Sequence, residues 1–320
     1  MKNPLACLLC ILLLLDPLFN YAQNGGIPKV ADFPEAFEAL PALPLTVKLK
    51  NNIRFDQEGG HLQGIQLYQE NTVYLSGSSS NYSYIIIGDL KNQVVKAVDT
   101  LLLSPLRHAG GFQIYDHFLA VGIEDNQKRD LAKVQVYDLE KDKPWQMPLA
   151  SLERKGAPER VTAGAVGLTA YKEKMWLLVA NWDSRVLDLY SCTEKDFYLG
   201  NAPFQLQMSI DLSRQDRNGW INPDWLSYQN LNLFTDKKEQ MYVTGTALNP
   251  DGKQVADLFR LIPDKEKPVL VKIASKIFST SEKVNFKAAA GLQVNQEGRL
   301  QLTGAPYQIE DETYIDLFSN

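Results

Sequence analysis

Two histidines occupy matching places in a repeated motif. His61-Leu62-Gln63-Gly64-Ile65-Gln66-Leu67-Tyr68 and His108-Ala109-Gly110-Gly111-Phe112-Gln113-Ile114-Tyr115 share the pattern His-x-x-Gly-apolar-Gln-apolar-Tyr. Imidazole titrates near neutral pH and ligates metals, so an equivalent pair suits a metal site or acid/base catalysis. The same pair also suits a strand entry, with each ring hydrogen-bonded to a neighbouring loop. Weaker copies of the motif carry Thr162, Ser227 and Phe286 at this place, so a metal would draw further ligands from Glu124 or Asp183. Glu124-Asp125 also reads as an acidic pair solvated in a polar loop. His117, the remaining histidine, falls in a turn and is expected to be solvated.

Aromatic residues supply the other candidates. Trp182, Trp220, Trp225 and Tyr307 fall in connecting segments, where ring faces stack on a ligand while a polar edge finds an acceptor. The competing role for Trp220 and Trp225 is to pin the long Arg214–Ser227 connection onto the fold. Trp145 and Trp176 lie in strand contexts and are expected in the core.

Several chemistries lack their signatures. Ser76-Gly77-Ser78-Ser79-Ser80 has no Gly-x-Ser-x-Gly elbow, and Asn249-Pro250-Asp251-Gly252 lacks the spaced acidic ligands of a calcium loop. The chain carries no Gly-rich phosphate loop followed by Lys and no cysteine pair spaced for zinc. A net charge of −5 without a basic stripe argues against nucleic acid.

The elements that must position these residues are strands. From Leu45 onward the apolar clusters are short, alternating and rich in β-branched or aromatic residues, with turn residues between. The motif recurs at 61, 108, 162, 227 and 286, spaced as four-stranded units with variable loops are. Second strands recur as Tyr74–Gly77, Leu119–Gly122, Leu177–Ala180, Tyr242–Gly245 and Gln301–Gly304. Third strands recur at Gln135–Tyr137, Asp188–Tyr190, Asp257–Phe259 and Asp316–Phe318, with Ile86-Ile87 equivalent in the first unit. The fifth unit ends after its third strand, and Leu43–Leu49 supplies the missing edge from the other end. Gly64, Gly111, Ala165, Asn230 and Ala289 fit inner strands that crowd an axis.

This pattern resembles the β-propeller superfamily over nearly all of residues 43–320. It is unlike WD40 or kelch repeats, since Trp182-Asp183 is a single Trp-Asp pair. The expectation is an all-β, five-bladed β-propeller with four antiparallel strands per blade, its last blade closed by the N-terminal strand. His61, His108, Glu124, Trp182, Asp183 and Tyr307, with the Arg214–Ser227 connection, would then share one face.

Outside the propeller, Leu5–Leu15 is an apolar run behind Lys2, broken by Asp16-Pro17 and followed by a small residue at Ala22. That is the layout of a cleaved signal peptide, 1–22, and too short for a membrane span. Residues 23–42 read as a Pro/Gly-containing linker with a short helical piece near Glu35–Leu40. Cleavage leaves Cys192 as a lone, buried thiol. The expected product is an exported monomer, periplasmic or extracellular, binding a small-molecule, glycan or protein ligand on one rim. The alternative is an extracellular hydrolase or lyase with a His/carboxylate site at the channel mouth. The sequence specifies no cofactor.

Overall fold

The computed structural model describes residues 27–264 and 266–319, so the expected signal peptide lies outside the described residues. Helix α1 (Phe33–Ala39) opens the described chain, capped by the Asp32 carboxylate accepting from the Glu35 amide at 3.1 Å. Phe33 and Phe37 are buried, and Phe33 lies 4.8 and 5.1 Å from the rings of Phe234 and Tyr242. The segment expected as a linker is thus in part a packed strap: its apolar residues cover core that would otherwise face water.

Strand β1 (Leu45–Lys50) follows, and after it the chain forms sets of antiparallel strands. β2 (Leu62–Tyr68), β3 (Thr72–Ser78), β4 (Tyr82–Asp89) and β5 (Val94–Leu103) pair in sequence order. So do β6 (His108–Tyr115), β7 (Phe118–Glu124), β8 (Leu131–Asp138) and β9 (Ala150–Lys155). The same holds for β10 (Ala165–Tyr171), β11 (Lys174–Ala180), β12 (Val186–Thr193) and β13 (Gln205–Asp211). β14 (Asn230–Thr235), β15 (Met241–Leu248), β16 (Gln254–Ile262) and β17 (Val269–Phe278) make a separate sheet. Finally β18 (Val284–Val294), β19 (Leu300–Pro306) and β20 (Glu312–Ser319) are completed by β1, whose Leu45 and Lys50 oppose Leu317 and Glu312.

Burial explains the residue choices. First and second strands are buried on both faces and read as almost continuous apolar or small residues. Outer strands such as β9 and β13 alternate buried with exposed positions, because one face meets water. The first strands of successive sets touch only briefly, through single parallel pairs such as Gly64 with Ala290 and Gly111 with Ala165. That approach needs small residues: a Cβ at Gly64 would lie 2.6 Å from the Phe112 ring, and one at Gly167 2.7 Å from the Leu233 amide.

Side-chain amides do what a backbone ladder cannot at this spacing. Gln113 donates to Leu233 O at 2.8 Å and accepts from Leu233 N at 2.7 Å. Gln66 donates to Leu292 O at 2.7 Å and accepts from Ile114 N at 2.6 Å, while Asn232 donates to Phe112 O and accepts from Leu292 N. All three amides are buried. Third-strand carboxylates form a further repeated contact, reaching the fourth strand of their own set: Asp188 to Ser209, Asp257 to Lys272 and Asp316 to Thr46.

The closing strand is energetically part of the core. Leu49 is fully buried in a cluster with Val73, Ile86 and Ile315, whereas Lys48 on the other face makes an exposed ion pair with Glu312. Leu49→Ala should therefore lower the unfolding free energy by about 2–5 kcal/mol. Lys48→Ala should change it by less than about 1 kcal/mol. Urea titration of both variants checks this, and similar small effects would mean that β1 lies outside the cooperative unit.

Candidate functional site

The site grows from the ends of the first strands. His61 immediately precedes β2, His108 begins β6, and Glu124 ends β7 directly opposite His108. Register shifts between Leu62 and Ile65 and between Ala109 and Phe112 bulge both first strands here, which re-aims the side chains beside them. The β11–β12 connection supplies Trp182 and Asp183, and Tyr307 follows β19. These six residues line one cavity of about 480 Å³, so the face expected from strand direction is assembled.

The two imidazoles stand 5.5 Å apart at 67°, with the carboxamide of Gln63 between them. Its nitrogen is 3.1 Å from His61 Nε2 and 3.2 Å from His108 Nε2. The same nitrogen is also 3.2 Å from His61 Nδ1; as a donor to His108 Nε2 it leaves the His108 proton on Nδ1. His61 Nδ1 donates to Leu62 O at 2.9 Å. His108 Nδ1 has no protein partner, and neither does the Gln63 Oε1 atom. An orphaned donor and an orphaned acceptor therefore lie buried in residues lining the cavity. Among the described residues, His61, His108 and Glu124 do not come together within metal-ligand reach. The Gln63 carboxamide stands between the two rings and contacts both.

Electrostatics follow from burial. Desolvation lowers the His61 pKa and, with His61 and Arg107 adding repulsion, pushes His108 down to about 3. The Glu124 carboxyl is pushed up to about 7 by burial, partly offset by the Ala163 amide, which donates to Oε2 at 2.7 Å, and by Arg129. Asp183 instead pairs with Arg185 at 2.6 Å. Its φ of 55° is a left-handed conformation, and the neighbouring Ser184 hydroxyl anchors this turn by donating to the Tyr228 carbonyl.

Aromatic surfaces flank the polar floor. Tyr307 stacks on His61 at 4.4 Å and is 52% exposed, leaving much of the ring open. Trp182 carries the Arg129 guanidinium 3.6 Å from its ring centroid. The two other tryptophans expected to touch a ligand are elsewhere. Trp220 is buried against Phe259 with its indole donating to Leu270 O at 2.9 Å, and Trp225 packs between Tyr228 and Phe259. Both hold the 214–227 connection down, helped by buried Lys272, which bonds Asp224 O and pairs with Asp257 at 2.8 Å. His117 is not solvated either: it is buried in the turn after β6. Cys192 is buried, which raises its thiol pKa to about 12. Gln63 was missed by sequence reasoning, although its place between His and Gly in the motif marked it.

No protein-family model and no curated protein matches this chain. Solved structures do. A GH62 hydrolase in complex with xylotriose is similar over 86% of this chain and 97% of its own, at 10% identity and TM-score 0.50. The catalytic domain of a GH62 alpha-L-arabinofuranosidase from Coprinopsis cinerea gives 10% identity, the same coverages and a TM-score of 0.48. An endo-arabinase from Bacteroides thetaiotaomicron gives 11% identity, again 86% and 97% coverage, and 0.46. At these identities the likeness is one of fold: the chain is an all-β protein of β-propeller type. No helix among the described residues is long and apolar enough to cross a membrane.

Glu124 and His108, both buried, couple stability to pH. Glu124 keeps its proton in the folded state, so its contribution is complete below about 4.5 and lost as pH rises through about 7. His108 stays neutral when folded, so its contribution is complete above about 6.5 and lost as pH falls toward about 3. Between 4.5 and 6.5 the two slopes oppose each other. Glu124→Gln should remove the decline between pH 4.5 and 7, gaining on the order of 2–3 kcal/mol relative to the parent across that range. Urea titrations at pH 4.5, 6 and 7.5 measure the slope; an unchanged slope would mean that the carboxyl is ionised in the fold.

Proposed function

We propose that this chain is an exported, monomeric hydrolase acting on a carbohydrate at the mouth of a five-bladed propeller. The blades are the five antiparallel sets, the last completed by β1. The observation that carries the reading is one cavity lined by two carboxyl groups in contrasting surroundings, Glu124 buried and Asp183 ion-paired. Such a pair suits acid–base hydrolysis of a glycosidic bond. Glu124 delivers its proton to the leaving oxygen as the C–O bond breaks. Water adds to the anomeric carbon, and Asp183 takes the proton that this water gives up. Both protein groups end with exchanged protonation, and proton return through solvent restores them.

The substrate class follows from the lining. Asn126, Asn285 and Lys287 offer polar groups to hydroxyls, while Tyr307 and Trp182 offer ring surface to the apolar face of a sugar. The likeness to a hydrolase bound to xylotriose contributes the fold, not the substrate. One observation favours a second reading, in which the face binds a glycan without cleaving it. Gln63 holds both imidazoles neutral and fixed, so they serve as structure rather than as acids.

Purified protein should release reducing ends or aryl aglycones from at least one member of a panel of plant and bacterial polysaccharides and aryl glycosides. Glu124→Gln should lower kcat by about 100-fold or more with little change in KM, since a proton donor acts in the transition state. The parent kcat/KM should fall as pH rises past about 7, where Glu124 loses its proton. Glycan binding that is retained in Glu124→Gln, with no turnover by the parent on any substrate, would leave the binding reading and remove the catalytic one.

A further inference from the structure

A second cluster of side chains sits at the far end of β6, a strand length or roughly 25 Å from His108. His117, in the turn between β6 and β7, faces Asp138 at the end of β8 and Glu140 just beyond it. One ligand atom from each of the three lies within 4.8 Å of the others. His117, Glu140 and the neighbouring Asp116 also line a separate cavity of about 480 Å³.

The imidazole is held as a metal ligand is held. Asp116 Oδ2 lies 2.8 Å from His117 Nδ1, a carboxylate–histidine pair of the kind that orients metal-ligating imidazoles. The ring lies 3.9 Å from that of Phe118, and the Leu139 amide donates to the His117 carbonyl at 2.9 Å, so both segments are locked in register. His117 Nε2 is 3.9 Å from Asp138 Oδ1. That gap is too long for a hydrogen bond and close to twice the about 2.0–2.1 Å bonds that zinc makes to nitrogen and oxygen. Exposed Lys141, 3.7 Å from Asp138 Oδ2, is the competing cation.

We propose that His117, Asp138 and Glu140 bind one divalent transition-metal ion, zinc being the best fit, through Nε2 and two carboxylates on the face opposite the hydrolytic cavity. One imidazole nitrogen favours zinc over calcium or magnesium, which prefer all-oxygen shells. Three protein ligands leave a fourth position for water or for a group entering the second cavity. Bound there, the ion would staple the β6–β7 turn to the end of β8.

Chelator-treated protein, dialysed against micromolar zinc and measured by elemental analysis, should retain one equivalent. Cobalt in place of zinc should give visible d–d absorption. Glu140→Gln changes an exposed side chain and should fold normally, yet weaken zinc binding by at least about tenfold. His117→Asn should do the same, and His108→Asn should leave zinc binding intact. No retained equivalent would overturn the site, as would binding unaffected by Glu140→Gln or abolished by His108→Asn.

Discussion

The first strands of neighbouring sets come together at the axis with almost no backbone ladder between them, and their buried N–H and C=O groups still need partners. Three carboxamides supply these partners. Gln66 joins β2 to β6 and β18, Gln113 joins β6 to β10 and β14, and Asn232 joins β14 to β18 and β6. The equivalent places in the two remaining sets are Gly167 and Gly291, and this alternation is steric. A Cβ at Gly167 would press on Leu233 and Gln113, and one at Gly291 would lie 2.9 Å from the Gln66 Cγ. Each buried group left without its amide would cost about 1–3 kcal/mol, so the layer holds the ring in a single register.

The candidate site inherits its rigidity from that layer. Gln63 lies three residues before Gln66 on the same strand, and its carboxamide repeats the theme one level nearer the rim, clamping two rings instead of two backbones. Glu124 reaches across to the Ala163 amide of the next set, so the placement of this carboxyl depends on how two sets pack. On the fourth set, buried Lys272, Asp257 and Tyr228 form a connected polar group, and the Tyr228 carbonyl takes the Ser184 hydroxyl beside Asp183. Lys272 and Tyr228 both contact Asp257 Oδ2, and Oδ1 is buried without a hydrogen-bond partner, so this network orders its members and adds little net stability.

Much of this was legible in residue order. The His-x-x-Gly motif, the recurring second and third strands and the surplus strand at Leu45–Leu49 carried the topology, because period-2 burial and small axial residues leave direct traces. Strand direction alone brought His61, His108, Glu124, Trp182, Asp183 and Tyr307 to one face. Trp220 and Trp225 could not be assigned, since a loop tryptophan reads the same whether its ring meets a ligand or Phe259. The burial of His117 depends on Phe118 and on the β8 end folding beside it, contacts that no local pattern encodes. The repeated Gln66 and Gln113 were visible, but their meaning lay in Gly167 and Gly291, far away along the chain.

Closure of the last set by β1 has a consequence for biosynthesis. Thr46 and its hydrogen-bonded partner Asp316 are 270 residues apart, so the first strand made waits for the last one. At about 5–20 residues per second of translation, that interval is on the order of 10–60 s. A strand left unpaired so long is a hazard, because its free edge can recruit another chain. Lys48 and Lys50 alternate with apolar Val47 and Leu49 along β1, and such charges discourage pairing between nascent copies. The same two lysines then find Glu312 across the finished seam: Lys48 pairs with its carboxylate, and Lys50 stands opposite it in the ladder. A guard during synthesis thereby becomes a fastener in the folded molecule.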